Sequence, residues 1–564
     1  MIKRFLILSF LISLSGQILS QDIQADNRLR DLVQRYGQAE VTIPYPGSVE
    51  MDNITRHVSI LNVRDKKVFI SVSSFNIDWF ISRLYGYTIS ERSETKGIVM
   101  AESVKGAMDW QSYPTYSQYE TIMQSFATNY PNLCRLDTIG KSINGKYVLA
   151  VKISDNVTIN EDEPGVFYSS SIHGDEIGGY VMMLHLIDFL LSNYNTSSRV
   201  KNMVDNLQIW INPLANPDGT YNHGNTISSP TRYNAHSIDL NRNFPDPNDL
   251  TIVPEKEVVD MMKFMKKNKF TISVNFHGGD EVVNYPWDMW LSKLHADNTW
   301  FNSISRAYAD TVHKYSVAGY LTDLNNGVTR GAVWYIIYGG RQDYMTYELH
   351  GREVTIELDY TKETPAADLD SLWQYNKRSF LGYAENALYG VHGLTKDVHT
   401  GNAVPAKVFI SAHDIDRSEV YSDTLTGRFI RLLAPGSWNL TFSANGYKDT
   451  TVTNVQVLDG QRTDLTVNMQ SIISGVETTE LQSPVMFPNP ASDHVFALLP
   501  QNLEGKINIK IISQNGSEVK NFEKNLVLGI PVYIDVSSLH SGVYMIVFMN
   551  KNRGLSFRSR LVII

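Results

Sequence analysis

The run Gly165-Val166-Phe167-Tyr168-Ser169-Ser170-Ser171-Ile172-His173-Gly174-Asp175-Glu176 starts as an apolar strand and stops at small and polar residues. A Gly-containing turn then leads into a helix predicted from Gly179 to Tyr194. Strands buried on both faces read as continuous apolar runs, and strand, sharp turn and long helix in succession form the unit of an α/β core. The same alternation runs from about residue 113 to residue 388. It predicts a catalytic-sized α/β domain with a mixed, largely parallel central sheet flanked by helices.

His173 and Glu176 stand three apart at this strand-to-helix turn, where an imidazole nitrogen and a carboxylate oxygen can meet on one metal ion. The pair alone is a common accident, so a third ligand is needed. Phe270-Thr271-Ile272-Ser273-Val274-Asn275-Phe276-His277-Gly278-Gly279 offers His277 in the same setting, a β-rich run ending in His and then Gly-Gly. Functional residues of open parallel sheets gather at the carboxyl ends of strands, which favours His277 as a ligand over a strand-end His that is merely hydrogen-bonded. Two His and one Glu leave a tetrahedral Zn2+ with one open position, the catalytic arrangement. Hydrolysis at such a metal also needs a carboxylate to move the proton of the attacking water. Glu357 in Glu353-Val354-Thr355-Ile356-Glu357-Leu358-Asp359 is the candidate, although alternation alone favours the solvated face of an edge strand.

Outward from this core, residues 21–112 mix strand-like runs (Val41-Thr42-Ile43, His57 to Val63, Lys67 to Val72) with a helix-like run, Ile77 to Leu84, and predict a small α+β domain. After Val391 long helical patterns end. Short strands such as Lys407 to Ser411, Asn439 to Ser443 and Val452 to Val457 predict two β-sandwich domains that part in the polar stretch Ile473 to Ser483. Lys3 and Arg4 followed by apolar Phe5 to Leu14 and small Ser20 read as a signal peptide over residues 1–20. No apolar stretch reaches the roughly 20 residues of a membrane span. Of the 564 residues, 50 are Lys or Arg and 59 are Asp or Glu, a net charge of −9 that disfavours a nucleic-acid partner by bulk charge. Cys134 is the single cysteine, so any metal ligands are His and carboxylates.

Residues 113 to 388 resemble the zinc carboxypeptidases of the carboxypeptidase A and B kind, and more closely the regulatory group with carboxypeptidases E, N, D and M. The motifs are His173-Gly174-Asp175-Glu176, Asp239-Leu240-Asn241-Arg242-Asn243-Phe244-Pro245, His277-Gly278-Gly279, Gly339-Gly340-Arg341-Gln342-Asp343-Tyr344 and Thr355-Ile356-Glu357-Leu358. The resemblance implies a metallocarboxypeptidase with one Zn2+ on His173, Glu176 and His277, and Glu357 as general base and proton shuttle. It implies that Asn241, Arg242 and Tyr335 hold the free C-terminal carboxylate of a peptide or protein substrate, and that Arg232 polarises the scissile carbonyl. By the residues alone, Tyr335 is also a packed aromatic beside Trp334, and Arg232 a loop arginine.

The resemblance further implies that Asp288, eleven residues beyond His277, selects C-terminal Arg or Lys, with Gln342 lining the same pocket. A turn residue after Pro286 is the alternative for Asp288. Arg341 stands where regulatory members usually carry Met, and a cation in that pocket would repel a basic substrate unless it points away. Residues 391–470 resemble the transthyretin-like β-sandwich of regulatory carboxypeptidases. Residues 484–564, opening with Phe487-Pro488-Asn489-Pro490-Ala491, resemble the C-terminal sorting domain of type IX secretion. That implies a secretion-machinery partner and a secreted or cell-surface location on a Gram-negative bacterium. The α+β domain resembles a pro-segment. Alternatives are a deacylase, a carboxypeptidase for neutral or cell-wall peptides, and a non-catalytic surface adhesin.

Overall fold

A computed structural model describes residues 23–91, 97–472, 483–500, 503, 505–527, 530–550 and 555–564. The signal peptide expected at residues 1–20 and most of the expected break, residues 473–482, lie outside the described residues. The chain divides into a first unit ending at Ser471 and a second from Ile472 to Ile564.

In the first unit, strands β1 (Ala39–Pro44), β2 (Ser59–Arg64), β3 (Lys67–Val72) and β4 (Thr88–Ile89) form an antiparallel sheet in the order β2-β3-β1-β4. Asp65 and Lys66, both left-handed with φ of 52° and 57°, make the two-residue turn between β2 and β3, the backbone twist that suits a tight hairpin. Val41, Ile43, Ile60, Val68 and Ile70 pack with Leu29 and Ile54 from helices at residues 23–36 and Ser48–His57. Neither of those two helices is among the elements expected from the sequence, although Leu29, Leu32, Val33 and Tyr36 recur at helical spacing.

The central sheet contains β5 (Cys134–Lys141), β6 (Tyr147–Ile153), β7 (Gly165–Ser170), β8 (Gln208–Asn212), β9 (Ile272–His277), β10 (Asp280–Tyr285), β11 (Val328–Arg330) and β12 (Arg352–Asp359). Its order is β11-β10-β12-β9-β7-β8-β6-β5. The core strands β12, β9, β7 and β8 run parallel, whereas β5, β6 and β10 join antiparallel neighbours. Val166, Tyr168, Val274, Phe276, Val354 and Ile356 face a core shared with helices Tyr116–Asn129, Gly178–Asn193, Asn298–His313 and Leu369–Glu385. Phe167 and Trp210 point the other way, onto Phe264 and Met265 of helix Lys256–Asn268. Burial on both faces is why β7 reads as unbroken apolar sequence. Gly178–Asn193 is buried nearly all round, as suits a helix between sheet and helices. Thr115 and Gln118 close a reciprocal capping box at the start of Tyr116–Asn129.

Residues 390–469 form a sandwich of one three-stranded and one four-stranded sheet around Val391, Val408, Phe429, Leu440 and Phe442. Asp297, Arg352 and Arg431 tie it to the central sheet. Arg431 Nη1 and Arg352 Nη2 donate to Asp297 Oδ2 at 2.5 and 2.7 Å, and Arg431 Nη2 also donates to Asp414 Oδ1 at 2.6 Å. The second unit is another pair of sheets, three- and four-stranded, around Val495, Ile509, Ile511, Ile546 and Phe548. Among the described residues no helix is long and apolar enough to cross a membrane.

Candidate metal centre and active site

Three strand ends build the site. In the parallel register, Glu357 of β12 is the partner of His277 at the end of β9, and Ser170 of β7 is the partner of Phe276. Register partners point to the same face, so His277 and Glu357 emerge side by side on the face opposite the four long helices. The edge-strand reading of Glu357 does not describe its setting, because β12 lies inside the sheet between β10 and β9. After β7 the chain turns through left-handed Ser171 (φ 54°). At Gly174 it passes so close to the Gly219–Thr220 backbone that a Cβ would lie 2.3 Å from Gly219 C. Only glycine permits that approach, and the tight turn sets His173 and Glu176 over the strand ends.

His173 Nδ1 and His277 Nδ1 each lie 2.8 Å from one oxygen of the Glu176 carboxylate and 3.1 Å from one another. Ligands about 2.0–2.1 Å from a tetrahedral zinc lie about 3.3 Å apart, so small shifts of these atoms accommodate the ion. The donor chemistry fits as well. His173 Nε2 is 3.1 Å from Asp239 Oδ1, an arrangement that puts the ring proton on Nε2 and leaves the Nδ1 lone pair free. Burial pushes His277 down to about 4, which keeps its imidazole neutral at pH 7. For Glu176, burial acts upward but the His173 and His277 imidazoles outweigh it and hold the carboxyl well below its usual range. Glu357 Oε2 is a buried oxygen with no hydrogen-bond partner among the described residues, and burial followed by the Glu176 charge pushes that carboxyl up.

Arg232 lies against this cluster. Its Nη1 is 3.0 Å from His173 Nδ1 and 3.3 Å from Glu176 Oε1, while Nε donates to Asp239 Oδ2 at 2.8 Å. Asp239 therefore orients both a candidate ligand and a candidate oxyanion donor. It sits in the quoted Asp-Leu-Asn-Arg motif without an assigned role there; an acid two residues before Asn241 was the available signal. Losing such an outer partner typically weakens metal binding 10–100-fold. We expect Asp239→Asn to raise the zinc dissociation constant about 10-fold or more, as read by competition with a chromophoric chelator.

A cavity of about 490 Å3 holds His173, Glu176, His277, Glu357, Arg232, Asn241, Arg242, Tyr335 and Asp288 on its walls. Asn241 Nδ2 is 3.4 Å from His277 Nε2, and Arg242 Nη1 donates to Asn241 O. Tyr335 packs edge-on to Trp334, so the packed-aromatic description and a place in the cavity both hold. Asp288 Oδ1 accepts from Asn284 Nδ2 and from Gln342 Nε2, both at 3.0 Å. Gln342 meets the cavity only through Asp288. Arg341 points away. Its Nε donates to Glu353 Oε1 at 3.0 Å and its Nη2 to Val274 O at 2.9 Å, with the side chain wholly buried.

The N-terminal sheet forms the opposite wall. Arg242 Nη2 donates to Ile60 O at 3.2 Å, Ser59 Oγ to Asp239 Oδ2 at 2.7 Å, and Tyr335 OH lies 3.5 Å from Leu61 O. Gln38 donates to Asp175 Oδ2 and accepts the Arg232 amide, and Lys362 Nζ donates to Glu40 Oε1 at 2.6 Å.

Residues 119–379 match the zinc carboxypeptidase family model, and residues 485–563 match that of the secretion system C-terminal sorting domain. Carboxypeptidase SOL1 of Arabidopsis thaliana is 32% identical over 356 residues, 61% of this chain and 70% of that protein. The chain belongs to the zinc carboxypeptidase family. Carboxypeptidase D of Homo sapiens is 31% identical over 452 residues, 76% of this chain but 32% of that much longer protein. Carboxypeptidase M of Mus musculus is 29% identical over 361 residues, 80% of its length. The relatives are of the regulatory group named from the motifs, and the sorting domain marks an exported protein of the cell surface or medium.

Proposed function

We propose that this zinc carboxypeptidase family member is a secreted hydrolase that removes C-terminal residues, Arg and Lys by preference, from peptides and proteins. The convergence of two imidazole Nδ1 atoms and the Glu176 carboxylate beside Glu357 carries the reading. A zinc ion on His173, Glu176 and His277 would polarise the scissile carbonyl and lower the pKa of a water to about 7. Arg242, whose Nε has no partner among the described residues, receives the terminal carboxylate together with Asn241. Internal peptide bonds lack that carboxylate, which makes the enzyme an exopeptidase. Tyr335 closes over the terminal residue. Arg232 donates to the carbonyl oxygen as negative charge grows there. Glu357 takes the proton from the attacking water and delivers it to the leaving nitrogen.

The N-terminal unit, residues 21–112, acts as a pro-segment-like cover, a reading supported by Ile60 O on Arg242 and Ser59 on Asp239. A C-terminal ladder read by mass spectrometry tests the whole function. A peptide mixture is incubated with the chain, before and after limited proteolysis, with and without chelator. Loss of residues from the C-terminus that stops with chelator is expected, and a chelator-insensitive or internal cleavage pattern refutes the assignment.

Asp288 supplies the basic preference. Burial pushes its carboxyl up to about 6; the Asn284 hydrogen bond and the Arg242 charge act downward, Glu353 acts upward, and the Gln342 hydrogen bond downward. The buried Asp343 carboxyl accepts the Asp288 backbone amide. Above pH 6 Asp288 is ionised and attracts a guanidinium or ammonium; as pH falls through 6 it gains a proton and the attraction fades. On blocked dipeptides we expect kcat/KM for Arg to exceed that for Phe at least about 10-fold at pH 8 and the ratio to approach one by pH 5. Equal rates on Arg and Phe at pH 8 would eliminate the basic pocket.

A further inference from the structure

The specificity proposed above rests on one carboxylate, and that carboxylate is aimed by its surroundings. Asp288 Oδ1 accepts two hydrogen bonds, from Asn284 and Gln342, while Oδ2 accepts none from the described residues. A Cβ on Gly331 would lie 1.6 Å from Oδ1, so the space beside the carboxylate is fully used. The backbone beneath is held by a second acid. Asp343 Oδ1 and Oδ2 accept the Asp288 amide at 3.2 and 3.0 Å, and Oδ2 also accepts the Met289 amide at 2.8 Å. Asp343 is 3% exposed and is absent from the cavity wall.

We propose that Asp343 is a positioning residue for substrate selection, fixing the Asp288–Met289 backbone so that Oδ2 of Asp288 faces the side chain of a C-terminal Arg or Lys. The proposal rests on Asp288 being the selectivity group. Burying an acid beside Asp288 is unfavourable, since burial and the neighbouring charge both work against its ionisation. Two backbone amides that find no other acceptor among the described residues are what the acid provides for. Its chain neighbour Gln342 donates to the Asp288 side chain, so the short helical turn Arg341–Asp343 grips Asp288 at backbone and side chain together. Leucine is close to aspartate in shape and offers no acceptor, which leaves both buried amides unpaired, whereas the single oxygen of asparagine, placed at Oδ2, still accepts both. The segment must then shift, and a displacement near 1 Å in a binding group costs about 100-fold.

The test uses the full chain, untreated or after limited proteolysis, whichever turns over faster, and blocked dipeptides ending in Arg, Lys and Phe. Asp343→Leu is expected to lower kcat/KM for Arg and Lys about 30-fold or more, mainly through KM, and to change that for Phe less than about 3-fold. Zinc content should stay at one per chain. If Asp343→Leu does not accumulate, Asp343→Ala, smaller and likewise without an acceptor, is read in the same way. A parent that does not prefer Arg over Phe overturns the basic-pocket reading and this proposal with it. A parent that does, with a variant that keeps the preference or loses Arg and Phe turnover equally at full zinc content, overturns the proposal alone.

Discussion

Glu357→Gln is expected to bind one zinc per chain as the parent does while its turnover falls at least about 100-fold. The amide keeps the size and the hydrogen-bonding oxygen of the acid but has no basic oxygen to take a proton from water. Two observations make metal loss an unexpected outcome. Glu357 is not among the three residues whose ligand atoms converge, and its Oε2 accepts no hydrogen bond from the described residues that the amide would break. Steady-state turnover and metal content measured on one preparation decide the matter. An active variant sinks the proton-shuttle role, and a variant that loses zinc shows that the residue serves the metal rather than the proton.

The largest effect on stability should come from a residue far from the chemistry. Asp297→Ala leaves Arg352 and Arg431 buried, with exposures of 2% and 0%, and without their shared carboxylate. Removing one partner of a buried ionic group typically costs about 3–5 kcal/mol; here Arg431 keeps Asp414, and the loss falls on Arg352, which is left with backbone carbonyls. Chemical denaturation should show that loss, and a change below about 1 kcal/mol would mean that water reaches the arginines. The pH dependence follows. Burial alone would raise the Asp297 carboxyl, but Arg431 and then Arg352 hold it well below the usual carboxylate range. A carboxyl depressed on folding contributes stability that is complete above its unfolded pKa of about 3.9 and is lost as pH falls toward the folded value. In Asp297→Ala that part of the acid sensitivity should vanish.

Much of this site was legible in the chain because its residues sit at places where sequence patterns change. His277 ends an apolar run and His173 follows one through a serine-rich turn, each just before glycine, and such endings are visible wherever a strand buried on both faces meets a turn. Lys67 to Val72 was predicted as a strand and is β3 to the residue, since alternation and the flanking turn both mark it. Glu357 was not settled in this way. Alternation says only that it faces away from Val354 and Ile356, and whether that face meets solvent or a cavity depends on which strands lie beside β12. Arg341 is a similar case: a cation beside a basic-selective pocket is a contradiction in one dimension. The fold resolves it by turning the side chain under the sheet to Glu353, a partner twelve residues away and on another element.

By itself, then, the amino-acid order determined the α/β core, the β-rich tail, the identity of the candidate metal-binding side chains and the family motifs, because each is written in local periodicity or in short spacing. The tertiary structure decided which faces those side chains share, that Asp239 serves His173 and Arg232 at once, and that Ser59 to Asn62 of the N-terminal sheet stand across the cavity. Those facts hang on register between strands about 80 residues apart and on the docking of one sheet against another. Hydrogen bonds and burial set them, and no window of sequence contains both partners.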